Sequence, residues 1–207
     1  MSSDQRETGR LEAFSDGVFA FAITLLVLNL RDPTLDTLNQ KSLFNGLVAQ
    51  WPSLLGMVTS FATILIMWVN HHSMFTRIRR IDTALLFFNG LLLFFVVLQP
   101  FTTLLVANHV SLAQTTDGET AAAAYSGTCL MLGLVWTVTG WYSTRSRLIV
   151  GVRPQYRYFV GPISYAAAFG LSFIYALASV VVILAVAAFF AAYARSFMRR
   201  DEEAIDQ

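Results

Sequence analysis

The sequence predicts an all-α integral membrane protein with six transmembrane helices in each chain. Three observations lead to this prediction: the composition, the lengths of the apolar segments and the distribution of the basic residues. Hydrophobic residues make up 56% of the 207 residues and charged residues only 13%, whereas a soluble domain has about 25% charged residues. The mean hydropathy of +0.58 also indicates a membrane environment.

The apolar segments are long enough to cross a bilayer, because a spanning helix needs about 20 mostly apolar residues. They cover residues 13–31, 52–73, 82–106, 119–143 and 158–197. As a single helix at about 1.5 Å per residue, the last segment would be twice as long as a hydrocarbon core about 30 Å thick. We therefore predict a helical hairpin there, with its turn between Gly170 and Ser179.

The basic residues fall on one side of the membrane if the chain crosses six times. Of the 14 lysines and arginines, only Arg31 and Lys41 fall on the other side. Loops rich in Lys and Arg are usually cytoplasmic, so both termini are expected to be cytoplasmic. We expect residues 1–200 to form one six-helix transmembrane domain, followed by a short acidic cytoplasmic tail at 201–207.

Composition and motifs argue against several other classes of protein. Cys129 is the only cysteine, which rules out a disulfide within one chain. The sequence has no Walker, Rossmann or HExxH motif. His71 and His72 resemble possible metal or haem ligands, but a zinc site needs more donors, and His109 lies on the far side. We expect no enzyme activity, no resident cofactor or metal, and no nucleic-acid partner.

The first apolar helix begins with the polar residues Arg10, Ser15 and Asp16. Charges at this depth are costly unless they are paired or hydrated, and they often mark an ion path or a structural contact. Capping of the helix N-terminus by Ser15 or Asp16 is the alternative interpretation. Because Arg10 and Asp16 are six residues apart, they are not neighbours on one helical face. Their partners are therefore expected to lie partly on other helices.

Helix 1 also carries an apolar stripe formed by Phe21, Thr24, Leu25 and Leu28, whose spacing puts them on one helical face. The opposite face is equally apolar, with Phe19, Ile23 and Leu26. Periodicity alone therefore leaves open whether the stripe faces lipid, protein or a pore.

The segment from Arg10 to Asp16 resembles the RxxxFSD signature of the transmembrane protein 175 family, whose members are potassium-permeable channels of endolysosomes and bacteria. Bacterial members have one six-helix unit per chain and form tetramers. With 207 residues and one copy of the motif, this chain is similar to the bacterial type. The resemblance implies a homotetramer in the bacterial plasma membrane, in which helix 1 of each copy lines a central pore.

The resemblance also implies roles for the apolar stripe. In the family, the side chain five residues after the motif aspartate forms the narrowest ring of the pore. This position is Phe21 here, where relatives usually carry isoleucine or leucine. Thr24 matches a threonine that is tied to potassium preference, and Leu25 and Leu28 occupy the positions of further apolar rings.

The resemblance also implies a structural polar network. In the family, the motif arginine and aspartate join a histidine at the end of helix 2. The corresponding residues here are Arg10, Ser15 and Asp16, with His71 or His72 as the histidine. Adjacent positions leave open which histidine faces the network.

Together these features predict a potassium-permeable cation channel with an apolar constriction on helix 1 and a modest preference for potassium over sodium. The Thr-Val-Gly-Tyr-Gly filter of other potassium channels is absent from the sequence. Proton permeation is a variant of this function. The expected partners are potassium ions, membrane lipids and further copies of the chain. A proton-coupled secondary transporter is the alternative, although the internal repeats and broken helices of such proteins are not visible.

Overall fold

The computed structural model describes residues 3–30, 43–111, 114–149 and 157–205. Every regular element in these ranges is helical, which confirms the all-α prediction. The helices are α1 (Ser3–Leu25), continued by a 3₁₀ turn (Leu26–Asn29), α2 (Leu43–Ala49), α3 (Trp51–Phe75), α4 (Thr83–His109), α5 (Thr116–Arg145), α6 (Arg157–Ser172) and α7 (Ala176–Ile205). Arg31, Lys41 and residues 206–207 lie outside the described residues.

Four helical stretches are long and apolar enough to cross a membrane. They are Glu7–Asn29, Trp51–Phe75, Thr83–His109 and Thr116–Arg145. The remaining candidates are shorter: α6 has 16 residues, and the apolar part of α7 is Ala176–Phe190. The chain is therefore a multi-pass helical membrane protein, while the number of six crossings stays a prediction.

The predicted hairpin between the last two helices is confirmed. α6 ends at Ser172 and α7 begins at Ala176, so the turn lies inside the predicted window. The backbone N–H of Tyr175 donates to the carbonyl of Leu171 at 2.8 Å. α7 continues to Ile205, so the acidic segment begins as an extension of this helix. Its separation from residues 1–200 as a tail stays a prediction.

Side chains near the helix ends explain where two of the spanning helices begin. The carboxylate of Asp82 accepts a hydrogen bond from the backbone N–H of Leu85 at 2.8 Å at the start of α4. The hydroxyl of Thr115 does the same for Gly118 at 3.0 Å at the start of α5. Each of these caps satisfies a backbone donor that has no partner within its helix.

α4 and α5 form the centre of the bundle, with α1 and α3 packed on α4, and with α6 and α7 packed on α5. Close contact between α5 and α6 depends on Gly133, where an added Cβ would lie 3.1 Å from Cδ2 of Tyr165. A buried polar contact also crosses the bundle: the Ser60 hydroxyl lies 2.6 Å from that of Thr103 and 2.9 Å from that of Tyr125. These hydroxyls join α3, α4 and α5.

α1 packs against the bundle through one face only. Of its spanning window, 22% is buried, compared with 39–50% in the other three. Phe19 and Leu26 are buried, whereas Phe21 is 61% exposed and Leu28 is 71% exposed. A row of large apolar side chains on one helix marks a surface that lipid or another protein copy covers.

Candidate functional site

A buried chain of hydrogen bonds fixes α1 to α3 and α4. Nε2 of His71 lies 2.8 Å from Oδ1 of Asn89, and Nδ2 of Asn89 donates to the hydroxyl of Ser15 at 3.0 Å. The Ser15 hydroxyl donates in turn to the carbonyl of Leu11 at 2.9 Å. Because an amide oxygen only accepts, Nε2 of His71 carries the proton. Each side chain in this series donates a hydrogen bond to the next acceptor, so the series holds α1, α3 and α4 in one arrangement.

Aromatic rings enclose the imidazole of His71. Phe75 stacks on it with ring centroids 4.1 Å apart, and Phe19 of α1 lies at 5.3 Å. The His71 side chain is fully buried, and Nδ1 has no hydrogen-bond partner within the described residues. The ring is therefore held by packing on its faces and by a hydrogen bond at one nitrogen.

A second contact joins α1 to α3 at the same level. Nε1 of Trp68 donates to Oδ1 of Asp16 at 2.8 Å. Hydrogen bonds to charged groups are stronger than those between neutral groups. This bond gives the motif aspartate a donor on another helix, as the sequence predicted, although the donor is an indole.

A third contact involves His72, whose Nδ1 lies 2.8 Å from Oε1 of Glu12. The His72 side chain is 53% exposed and that of Glu12 is 21% exposed. Exposed ion pairs contribute about 0–1 kcal/mol, so this pair contributes less stability than the buried chain.

The observed contacts differ from the expected network in two respects. Ser15 and His71 share the buried chain, but Asp16 and His72 have separate partners, so the predicted histidine–aspartate pairing is absent from the described contacts. Arg10 is exposed on α1 and has no place in these contacts, because it lies on the side of the helix away from α3 and α4. The capping interpretation is wrong as well, since α1 begins at Ser3 and Ser15 and Asp16 lie well inside it.

Two residues of these contacts, Asn89 and Glu12, are not among the defining residues of the motif or the histidine pair from which the network was predicted. One signal was available for Glu12. Glu12, Ser15 and Phe19 are spaced i, i+3 and i+7, which places them on one face of α1. This is the face that packs on α3 and α4, so helical periodicity alone groups Glu12 with Ser15 on the packed side of α1.

The predicted pore and selectivity residues lie on the other side of α1. Phe21, Thr24 and Leu28 are exposed, and Leu25 is partly buried. The Thr24 hydroxyl donates to the carbonyl of Phe21 at 2.8 Å, so its proton is used within the helix. Within the described residues, no three histidine, cysteine, aspartate or glutamate side chains lie close enough to hold a metal ion.

Trp68→Phe tests the contact between α1 and α3. This change keeps most of the ring but removes the indole donor to Asp16, so it should destabilise the folded protein by about 1.5 kcal/mol. The measurement is thermal unfolding of the purified protein in detergent. Trp141→Phe is the matched control, because Trp141 is 62% exposed. Equal effects of the two substitutions would mean that the bond to Asp16 does not contribute.

Comparison with known proteins finds a family model and relatives that are similar to this chain. The family model described as "Endosomal/lysosomal potassium channel TMEM175" matches residues 10–100, which include the motif and the residues of the candidate site. A potassium channel of Chamaesiphon minutus is 42% identical over 198 residues, covering 91% of this chain and 95% of that protein. A potassium channel of Streptomyces collinus is 39% identical over 176 residues, covering 81% and 84%.

Two further matches connect the chain to a solved structure and to animal proteins. The crystal structure of a lysosomal potassium-selective channel TMEM175 homolog from Chamaesiphon minutus superposes with a TM-score of 0.80 at 41% identity, covering 91% of this chain and 98% of that one. The human endosomal/lysosomal proton channel TMEM175 is 41% identical over 93 residues, which are 42% of this chain and 18% of the human protein.

Proposed function

Because this chain belongs to the TMEM175 family of potassium channels, we propose that it forms a potassium-permeable pore in which the exposed face of α1 lines the conduction path of a homotetramer. The observation that supports this most directly is the one-sided packing of α1, with Phe21 and Leu28 exposed and Phe19 and Leu26 buried. One copy of α1 cannot enclose a pore, so several copies are needed. The relatives are ion channels, a class of proteins that is not enzymatic.

The gate in this proposal is an apolar constriction formed by Phe21, with Leu25 and Leu28 as further rings. Narrow apolar pores exclude water and so raise the barrier to ions, a mechanism known as gating by dewetting. The contacts of Ser15 and Asp16 support this assignment, because they hold α1 in a fixed rotation against α3 and α4. Arg10 is exposed on the same side of α1 as Phe21, so it lies at the mouth of the proposed pore.

Selectivity is assigned to Thr24 in the same proposal. Because the Thr24 proton is donated to the carbonyl of Phe21, the oxygen presents lone pairs to a passing cation. Four such oxygens make a weak site for a partly hydrated ion, so the preference for potassium over sodium is modest. Animal relatives are named as proton channels, which supports proton permeation as a second property of the pore.

Orientation and location complete the proposal. The arginines of the α3–α4 connection and of the end of α5 lie at the same end of the bundle, where a backbone bridge joins the two segments. By the positive-inside rule, we infer that this end faces the cytoplasm. With the six predicted crossings, both termini lie on this side, and the bacterial relatives support a location in the bacterial plasma membrane.

Reconstitution into liposomes tests the proposed function. Vesicles loaded with potassium and diluted into sodium should release potassium down its gradient, whereas protein-free vesicles should not. If the protein is a channel, dissipating a proton gradient across the vesicle membrane should not change this potassium release. Uptake of potassium against its gradient, driven by protons, would instead identify the secondary transporter, and the channel proposal would be wrong.

Thr24→Val tests the selectivity assignment. Valine keeps the shape of threonine but removes the hydroxyl oxygen, so we expect the potassium-to-sodium permeability ratio to fall toward unity with a smaller change in total current. The measurement is the reversal potential under bi-ionic conditions. Thr24→Ser is the matched control, because it keeps the hydroxyl. An unchanged ratio in Thr24→Val would remove Thr24 from the selectivity mechanism.

A further inference from the structure

Two segments at one end of the bundle are joined into a single surface. Ile78 of the α3–α4 connection forms an antiparallel bridge with Ile149, which follows α5. The backbone N–H of Arg79 donates to the carbonyl of Leu148 at 3.0 Å. The side chains of Ile78 and Leu148 are buried together with Phe75 in one apolar cluster. The bridge and the cluster hold the two segments in a fixed arrangement.

The end of α5 contains an arginine in an unfavourable backbone conformation. The N–H of Leu148 donates to the carbonyl of Ser143 at 2.9 Å, and the N–H of Arg147 donates to that of Thr144 at 3.2 Å. This pair of hydrogen bonds defines a Schellman motif, whose left-handed residue is usually glycine. Arg147 occupies that position with φ of 54°, where a Cβ is disfavoured. Strain of this kind at one residue points to a use for its side chain.

Three further arginines lie on the two segments that the bridge joins. Arg79, Arg80 and Arg145 are exposed, and Nη2 of Arg80 lies 3.5 Å from the carbonyl of Ser146. We call Arg79, Arg80, Arg145 and Arg147 the arginine surface. The neighbouring carboxylate, Asp82, already accepts a hydrogen bond from the Tyr142 hydroxyl at 2.6 Å. That bond lowers the pKa of the Asp82 carboxyl and occupies one of its oxygens. Asp82 keeps its negative charge, and Glu12 lines a pocket together with Arg79. Four arginines outnumber these two carboxylates, so the surface carries an excess of positive charge.

The arginine surface lies where a spanning helix ends, which is the level expected for lipid headgroups. Arg145 is the last residue of a spanning helix, and its guanidinium lies 6.0 Å from the ring centroid of Trp141. Trp141 is 62% exposed, as expected of a tryptophan at the membrane–water interface. Basic residues placed between transmembrane helices at this level bind anionic headgroups, and guanidinium groups match the geometry of phosphate oxygens.

We propose that the arginine surface is a binding site for the phosphate headgroup of an anionic phospholipid. The general excess of basic residues on this side would not by itself define a site. Three observations support one here: the strained backbone of Arg147, the bridge that fixes it beside Arg79, and the exposed Trp141 nearby. The proposal concerns lipid binding and is independent of the channel activity. It is therefore tested by binding rather than by ion flux.

The experiment compares the stabilisation of the purified protein by two lipids. Vesicles or mixed micelles of phosphatidylglycerol should raise the thermal unfolding temperature more than those of phosphatidylcholine at the same mole fraction. In Arg147→Gly combined with Arg79→Gln, the affinity for phosphatidylglycerol should fall by about tenfold or more, because each arginine near an anionic surface contributes about 1 kcal/mol. Arg31→Gln combined with Lys41→Gln removes the same charge elsewhere and should keep wild-type binding.

Arg147→Gly alone separates folding from binding. Glycine is favoured at the left-handed position, so this variant should unfold in phosphatidylcholine at no lower temperature than the wild type, yet bind phosphatidylglycerol more weakly. A lower unfolding temperature would mean that the arginine contributes to folding, and the proposal would be wrong. An equal loss of affinity for phosphatidylglycerol in Arg31→Gln combined with Lys41→Gln would also overturn the proposal. If inorganic phosphate alone displaces phosphatidylglycerol and binds with the same affinity as the lipid, the ligand is a soluble anion. That result would contradict a lipid site.

Discussion

Phe21→Asn is expected to raise potassium flux through reconstituted protein by about tenfold, which corresponds to a barrier lowered by about 1.4 kcal/mol. Phe21 is 61% exposed on α1, so the substitution removes few contacts within the chain. A polar side chain at a narrow apolar ring retains water in the constriction, and a hydrated pore has a lower barrier to ions. The measurement is the initial rate of potassium release from proteoliposomes, corrected for the amount of protein incorporated.

Phe19→Asn is the matched control for this prediction. Phe19 lies two residues away on the same helix, but it is 1% exposed and packs in the core. Its replacement removes a buried ring and buries an amide, which costs about 3–5 kcal/mol. We therefore expect a loss of folded protein without a gain in flux per molecule. A gain in flux for Phe19→Asn or Ile23→Asn, with none for Phe21→Asn or Leu25→Asn, would mean that the opposite face of α1 lines the pore.

His71→Ala is expected to destabilise the protein by about 2–4 kcal/mol, the largest effect on folding among the polar substitutions. The change leaves the Asn89 amide oxygen without its donor and opens a cavity between Phe19 and Phe75, and both effects are unfavourable in a buried site. Because the chain of hydrogen bonds ends on α1, the loss should also weaken assembly. Thermal unfolding and the size of the complex in detergent measure the two effects.

His72→Ala is the matched control, since it changes the same residue type at the next position. His72 is half-exposed and contacts Glu12, so its loss should cost no more than about 1 kcal/mol. Combining His71→Ala with Asn89→Ala should cost less than the sum of the two single changes, because residues in one hydrogen-bond chain couple by about 0.5–3 kcal/mol. Additive effects would show that the two side chains act independently, and equal effects of His71→Ala and His72→Ala would contradict the buried chain.

The fold is predictable from the lengths of the apolar segments and the positions of the charges, because these depend on the bilayer rather than on the details of packing. The hairpin turn before α7 is an example. A segment twice as long as the hydrocarbon core must reverse direction, and the residues around Gly170 and Ser179 were the polar and small ones available for a turn. The exposed and buried faces of α1 also agree with the residues grouped by periodicity, since Phe21 and Leu28 lie on one side and Phe19 and Leu26 on the other.

The partners of the motif residues and of the two histidines were not predictable in the same way. His71 and His72 are adjacent, so they point to different sides of α3, and only the rotation of that helix in the bundle decides which one is buried. Arg10 belonged to the motif but not to the contacts, because the face of α1 that carries it turns away from α3 and α4. The donor to Asp16 is the Trp68 indole, one turn before His71 and His72 on the same helix.

The sequence by itself determined the membrane environment, the helical hairpin, the family and the two faces of α1. The family follows from the resemblance of the segment from Arg10 to Asp16 to the family signature. The other three follow from composition, segment length and helical periodicity, which are local properties of the chain. Only the tertiary structure decided that Asn89 links Ser15 to His71, that Glu12 contacts His72, and that Arg147 takes the left-handed position at the end of α5. The first two depend on how helices distant in sequence are rotated and packed, because hydrogen-bond geometry over about 3 Å is fixed only by that packing. The third is a local turn at the end of α5, next to the bridge between Ile78 and Ile149.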